Sequence, residues 1–148
     1  MKNNKILVLL RKIIAFRKKI FTDIKVELPY DLNKTQRGVL MFVAFEGPIS
    51  MNKVSEKFSL EKGSFTQIAD FLENYALIER KRCEKDRRII YLETTEKGKE
   101  IALKIHQATE KRINSLLSAL SEKERTDFLN SLEHISGYID VILKGNKE

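Results

Sequence analysis

The chain has 148 residues, 42% apolar and 33% charged, with a formal net charge of +7 and one cysteine. That length supports one compact domain, or a small core with long helical arms. One cysteine excludes an intramolecular disulfide framework and fits a reducing compartment, and no stretch approaches a membrane span.

The positive excess is unevenly placed. Residues 1–40 hold 10 Lys or Arg against 3 Asp or Glu, and residues 41–148 hold 18 of each. A polyanionic partner therefore has to be argued from local arginines rather than from the total. The opening MKNNKILVLLRK resembles a signal peptide only superficially. Its apolar run, Ile6 to Leu10, meets Arg11 and Lys12 too soon for an h-region, and no small-residue cleavage site follows, so a cytoplasmic protein is expected.

Residues 5–26 read as a long amphipathic helix ending by Pro29. Ile6, Leu9, Leu10, Ile13, Ile14, Ile20, Phe21 and Ile24 supply the apolar positions, broken by the basic run Arg17, Lys18, Lys19. Such a run can meet phosphate or an acidic membrane surface, but on a helix it is usually a solvated face, and no membrane partner is expected. Asn33 to Gln36 is a capping-box signature, and the helix behind it carries Val39, Leu40, Phe42, Val43 and Phe45 inward until Gly47-Pro48 stops it. Ser50 can cap a short helix over 51–58, with Ile49 packed on Val54 as a staple and with Val54 and Phe58 facing inward.

Ser59-Leu60 turns the chain into a second helix over 61–75. Phe65, Ile68, Ala69 and Leu72 form its inner stripe. The other face offers Lys62, Ser64, Thr66, Gln67 and Asp70, polar side chains of the kind that reach base edges in a groove. Leu77 and Ile78 then begin a hairpin whose first strand leaves as Glu79, Arg80, Lys81, Arg82. A turn at Cys83, Glu84, Lys85 and Asp86 leads through Arg87 and Arg88 into Ile89, Ile90, Tyr91 and Leu92. An arginine at such a tip fits the narrow, strongly negative minor groove of A·T-rich DNA, and a neighbouring Asp can hold its guanidinium extended.

Thr95 can cap a helix from Glu96, with Ile101, Ile105, Ala108, Ile113, Leu116, Leu117 and Leu120 apolar along it. Ser121 to Glu124 is a second capping box, so a last helix begins at once. Its Phe128, Leu132, Ile135, Ile139 and Ile142 are spaced 4, 3, 4, 3, a coiled-coil-like seam that needs a partner. With Ile6 and Leu10 of the first helix, these residues are the expected homodimer interface.

Taken in order, L32-N-K-T-Q36, G47-P-I-S50, G63-S-F-T-Q-I-A-D-F-L-E73, L77-I-E-R80, D86-R-R88, T95-E-K-G98 and S121-E-K-E124 resemble the MarR family of bacterial transcription regulators over about residues 5–145. The resemblance implies a mainly α fold with a small β-hairpin wing, a winged helix-turn-helix with long N- and C-terminal dimerisation helices. It implies a single domain over 1–148, with its winged core at about 33–95 and its dimerisation helices at about 5–28 and 96–144. It further implies that Ser64, Thr66 and Gln67 face the major groove and Arg87 and Arg88 the minor groove, with Asp86 orienting the wing. Ser50, Asn52 and Lys62 are candidate phosphate contacts. A ligand pocket would lie among Phe16, Ile20, Tyr30, Phe42 and Phe45.

Several positions depart from the family pattern. Gln67 stands where many members have Arg; Gln pairs bidentately with adenine and Arg with guanine, so an A·T-rich half-site is expected. Glu61 suits the helix dipole but sits close to phosphates. Ala76 replaces an expected Gly after the helix, so the left-handed turn there is expected to differ, and Thr94 replaces an apolar strand residue. Cys83 has Arg80, Lys81, Arg82 and Lys85 around it in sequence, which would lower a thiol pKa, though an isolated cysteine is usually a packing residue.

His106 and His134 are single and far apart, so neither a metal nor a cofactor is expected. Without a nucleophile–base pair, a carboxylate pair or a phosphate-binding glycine loop, an enzyme is not expected either. The function implied is a sequence-specific, DNA-binding transcriptional regulator. It would be a homodimeric repressor on a pseudo-palindromic operator in double-stranded DNA, released by a small-molecule effector or another signal. The competing reading is a winged-helix protein-interaction module without specific DNA binding. The near-neutral reading helix and Glu61 favour that module; Arg87 and Arg88 argue against it.

Overall fold

The computed structural model describes residues 5–22 and 24–145. In chain order it has α1 (Lys5–Thr22), α2 (Lys34–Glu46), β1 (Ile49–Ser50), α3 (Met51–Lys57), α4 (Lys62–Asn74), β2 (Ile78–Arg82), β3 (Ile90–Thr94), α5 (Glu96–Leu117) and α6 (Glu122–Gly145). The chain divides into two compact units within α5, one ending at Glu110 and the other beginning at Lys111.

In the first unit α1 stops at Thr22, four residues short of the expected end at 26 and short of the dimerisation segment to about 28. The reason is legible in I24-K-V-E-L28. Ile24, Val26 and Leu28 are half-buried while Lys25 and Glu27 are exposed, a period-two pattern that belongs to extended chain. Ile20 is the one residue of α1 that is buried.

The capping box of α2 is formed as the sequence implies. Gln36 N–H donates to Asn33 Oδ1 at 2.9 Å, and Asn33 N–H donates to Gln36 Oε1 at 2.8 Å. Gln36, Val39, Leu40 and Val43 are the buried stripe. Phe45 is a correction: it is 64% exposed rather than inside. It lies two residues past Val43, about 200° round the helix, and so on the far side from the core.

Strand β1 is absent from the sequence reading, because two residues cannot display an alternation. Its identity comes from pairing: Ile49 opposes Leu92 and Ser50 opposes Tyr91, giving an antiparallel sheet in the order β1-β3-β2. Ser50 also caps α3, with Lys53 N–H reaching its Oγ at 3.4 Å. Ser59 takes a left-handed φ of 50° at the corner between α3 and α4. Ser55 fixes that corner, its Oγ donating to Leu60 O at 2.7 Å while Leu60 N–H returns to Ser55 O at 3.0 Å.

Helix α4 buries Phe65, Ala69 and Leu72 against Leu40, Val54, Leu77 and Leu92 in one core. It ends in a Schellman motif, with Leu77 N–H on Leu72 O at 2.9 Å and Ala76 N–H on Glu73 O at 2.8 Å. The left-handed residue at its corner is Ala76, φ 54°, so the turn is kept where a different one was expected, with a methyl in the position that favours glycine. Ala76→Gly is therefore expected to stabilise the protein by about 0.5–1 kcal/mol, the steric relief less the added freedom of the unfolded chain. Urea unfolding should show a raised midpoint at constant slope; a lowered midpoint would mean that the methyl is not strained.

Strand β2 ends at Arg82 as expected but begins at Ile78, and β3 runs over 90–94, later than the expected 89–92, in the register Ile78 to Thr94 through Arg82 to Ile90. Thr94, the departure noted in the sequence, is simply the last residue of β3. The hydrogen-bonded turn also lies elsewhere than at 83–86. Ile89 N–H donates to Asp86 O at 2.9 Å, and Cys83 N–H to Ile89 O at 2.9 Å, so Arg87 and Arg88 are the two central residues of the tip turn. At the other end Thr95 closes the hairpin: its N–H meets Leu77 O at 3.2 Å and its Oγ1 donates to Ala76 O at 2.6 Å. The same oxygen accepts from Gly98 N–H at 3.0 Å and caps α5. Ile101, Ala102 and Ile105 of α5 complete the core.

In the second unit the Ser121–Glu124 box opens α6, with Ser121 N–H on Glu124 Oε2 at 2.9 Å and Glu124 N–H on Ser121 Oγ at 3.3 Å. The seam residues Leu132, Ile135, Ile139 and Ile142 are all exposed and Phe128 is half-buried; no residue of α6 is buried.

Candidate nucleic-acid interface

Ser50, Asn52 and Lys62, three residues from two helix starts, line a single cleft of about 590 Å³. Its other walls include Thr66 and Asp70 of α4, Arg80 of β2, and Arg88, Ile89 and Ile90 of the wing. The three candidate phosphate ligands and a wing arginine are thus brought together by the fold, although they span 39 residues of sequence. Ser64 and Gln67 are exposed on α4 but do not line this cleft. Their side chains have no hydrogen-bond partner among the described residues, so both remain available to a ligand. Thr66 differs from them: its hydroxyl donates to Lys62 O at 2.9 Å, which leaves it an acceptor, and it lines the cleft.

At the tip, Arg88 is held from both ends of its chain by one carboxylate. Its backbone N–H donates to Asp86 Oδ1 at 3.0 Å, its Nε to Oδ1 at 3.1 Å and its Nη2 to Oδ2 at 3.1 Å. The side chain is nonetheless 92% exposed, an extended guanidinium facing solvent. These bonds hold the Asp86 carboxyl below its ordinary pKa, the Arg88 side chain contributing most. With the folded pKa depressed, the brace is complete above the usual carboxylate range and is lost only as pH falls through the lowered value, so it does not titrate near neutrality. Arg87 is exposed and has no ion pair among the described residues.

Asp70 is on the outer face of α4 as expected, but its carboxylate is engaged by Arg80: Nη2 lies 2.6 Å from Asp70 Oδ1 and Nη1 2.6 Å from Glu73 Oε2. A signal for this was present in the sequence, two acids one helical turn apart and an arginine in the next strand, but only the strand's position relative to the helix makes them neighbours. Lys81 is likewise engaged, by Glu79 at 3.0 Å and Glu93 at 2.5 Å, and these bonds, Glu93 first, raise its pKa. Two of the four cations placed around Cys83 are thereby paired. The Cys83 thiol is free and half-buried.

Glu61 occupies the N-cap position of α4 and makes no side-chain capping bond. The five expected pocket residues separate into different contacts. Tyr30 meets Tyr75 at a tilt with ring centroids 4.7 Å apart, Phe42 meets Phe58 edge-on at 5.8 Å, and the exposed Phe45 meets His106 at 5.3 Å. Phe16 is half-buried and Ile20 buried on α1, and none of the five lines the cleft described above. Among the described residues no group of three or more His, Cys, Asp or Glu could hold a metal ion, and no helix is long and apolar enough to cross a membrane.

A helix-turn-helix backed by a three-stranded sheet and flanked by a basic hairpin defines the winged-helix class of DNA-binding transcription regulators. The chain belongs to the transcriptional regulator SarA/Rot family, whose sequence model matches residues 19–105, and is of the MarR-like winged-helix type. It is 31% identical to the HTH-type transcriptional regulator SarZ of Staphylococcus aureus over 105 residues, 71% of this chain and 70% of SarZ. It is 33% identical to the HTH-type transcriptional regulator MhqR of Bacillus subtilis over 95 residues, 64% of this chain and 66% of MhqR. Its fold is similar to that of Streptococcus pneumoniae FabT in complex with DNA, with a TM-score of 0.66 at 19% identity, covering 94% of this chain and 96% of that one. SarZ and MhqR are transcriptional regulators, a non-enzymatic family.

Proposed function

We propose that the protein is a homodimeric, sequence-specific repressor that binds a pseudo-palindromic, A·T-rich operator. The observation that carries this is the single cleft joining Ser50, Asn52, Lys62 and Arg88 between the outer face of α4 and the wing. A phosphate ridge seated there would have the major groove on the α4 side, within reach of Ser64, Thr66 and Gln67, and the minor groove on the side of Arg87 and Arg88. Phosphate contacts would supply most of the affinity and the groove contacts the sequence preference. The similarly folded FabT is known in complex with DNA, which supports DNA binding here.

Dimerisation is supported by apolar surface that a single chain leaves bare. Ile6, Leu9, Leu10, Ile13 and Ile14 of α1 are exposed, as are Leu132, Ile135, Ile139 and Ile142 of α6. Such continuous apolar stripes mark interaction surfaces. Two-fold symmetry would place the two α4 helices in successive major grooves, roughly 34 Å apart. Repression follows if the covered stretch overlaps a promoter. Release would come from a ligand or other signal that changes the spacing of the two α4 helices, with Phe16, Ile20, Tyr30, Phe42 and Phe45 as the proposed ligand contacts.

The test is a selection of bound duplex from a random pool by the purified protein, with Gln67→Ala beside it. Wild-type protein should enrich an inverted repeat rich in A·T, and Gln67→Ala should flatten the preference at one position per half-site, by about 1–3 kcal/mol of lost discrimination. An unchanged profile would remove Gln67 from base reading. No enrichment at low salt from a folded dimer would favour the protein-interaction module instead.

A further inference from the structure

We infer that Arg80 is a positioning residue of the DNA-reading head: by gripping Asp70 and Glu73 it sets where the wing lies against α4, and so which stretch of minor groove Arg87 and Arg88 reach. This rests on the DNA-binding reading above. Strand β2 is an edge strand with β3 as its neighbour, and the backbone leads into it from α4 through the short turn at Tyr75–Leu77. Arg80 sits at the centre of β2, opposite Leu92. Its two terminal nitrogens hold carboxylates at i and i+3 of α4, each at 2.6 Å. A planar fork on two points one helical turn apart resists both sliding along the helix and rotation about it, which the point charge of a lysine would not do.

The Arg80 side chain is also largely covered. It is 21% exposed, against 92% for Arg88. Both terminal nitrogens already hold carboxylates, so within the cleft that Arg80 also lines its charge is spent on Asp70 and Glu73. Asp70 lines the same cleft as Lys62 and Thr66, where an unpaired carboxylate would repel a phosphate. Arg80 offsets that charge while fixing the wing.

The experiment compares wild type, Arg80→Ala and the double variant Asp70→Asn/Glu73→Gln on a duplex that wild type selects. Hydroxyl-radical cleavage reads the minor groove and base-modification protection reads the major groove. Arg80→Ala removes one positive charge and the double variant removes two negative ones. Both are expected to lose the wing's minor-groove protection, to keep the major-groove protection of α4 at saturating protein, and to bind about tenfold or more weakly. Tighter binding by the double variant, with weaker binding by Arg80→Ala, would make Arg80 a phosphate ligand and overturn the inference. Loss of both protections together would reduce it to a stabilising contact and overturn it as well. Amide exchange of residues 83–89 in the free protein keeps the two hypotheses apart. Exchange unaltered by Arg80→Ala overturns the grip itself, whereas a wild type that leaves no footprint overturns the DNA-binding reading on which the grip's purpose rests.

Discussion

Gly98→Ala is expected to destabilise the protein by about 3 kcal/mol or more, a large share of the stability of a small domain. A Cβ on Gly98 would stand 1.9 Å from Leu77 O and 2.8 Å from Leu77 C, and both atoms are backbone. No side chain can swing aside. The first turn of α5 would have to lift off the base of the hairpin, breaking the bonds from Thr95 N–H to Leu77 O and from Thr95 Oγ1 to Ala76 O. Alanine's better helix propensity, worth about 1 kcal/mol, opposes this but is too small to reverse it. Gly63→Ala serves as the control, because nothing lies within 4 Å of a Cβ there and the substitution should be neutral or stabilising. Urea unfolding of the two variants side by side decides the matter. Equal midpoints would show that α5 does not approach Leu77 as closely as described.

Arg88→Ala is expected to weaken DNA binding about 10- to 100-fold while leaving the urea midpoint where it is. The side chain is almost wholly exposed and packs on nothing that folding needs, so affinity is what it has to lose. The loss should be greatest on A·T-rich sites, whose narrow minor groove concentrates negative potential, and should shrink on G·C-rich duplexes. Asp86→Asn should give a smaller loss in the same direction, since the arginine keeps its charge but loses its brace. Titrations at two salt concentrations on matched duplexes measure this. Equal losses on both duplexes would assign Arg88 to a phosphate rather than to the groove.

What the sequence made legible was whatever is written in local pattern. Asn33 with Gln36, and Ser121 with Glu124, announce helix starts because the reciprocal bonds need only four residues. The stripe Phe65, Ala69, Leu72 announces the inner face of α4, and D86-R-R88 announces the wing tip. What stayed hidden depends on partners far along the chain. Ile49 and Ser50 are a strand only because Leu92 and Tyr91 lie beside them. Asp70 and Glu73 look like solvated acids until β2 brings Arg80 to them. Two features were nonetheless legible in local pattern: the alternation in residues 24–28 speaks against helix, and Phe45 lies off the buried stripe of α2 by its helical position. Of the candidate site, the residue types were readable, but not that Ser50, Asn52, Lys62 and Arg88 share one cleft.

The two-residue strand β1 bears on how force travels through the molecule. Ile49 and Ser50 are bonded to β3, and Ser50 also caps α3, so the start of the helix-turn-helix and the inner strand of the wing cannot shear past one another without breaking main-chain pairing. On that side the reading head is stiff. On the other, β2 is tied to α4 through Arg80 and its two carboxylates, a joint of ions rather than of backbone, which salt softens. The wing is thus hung like a door, with a rigid hinge along β3 and a latch along β2. Bending by DNA should therefore be taken up at the latch and not at the hinge.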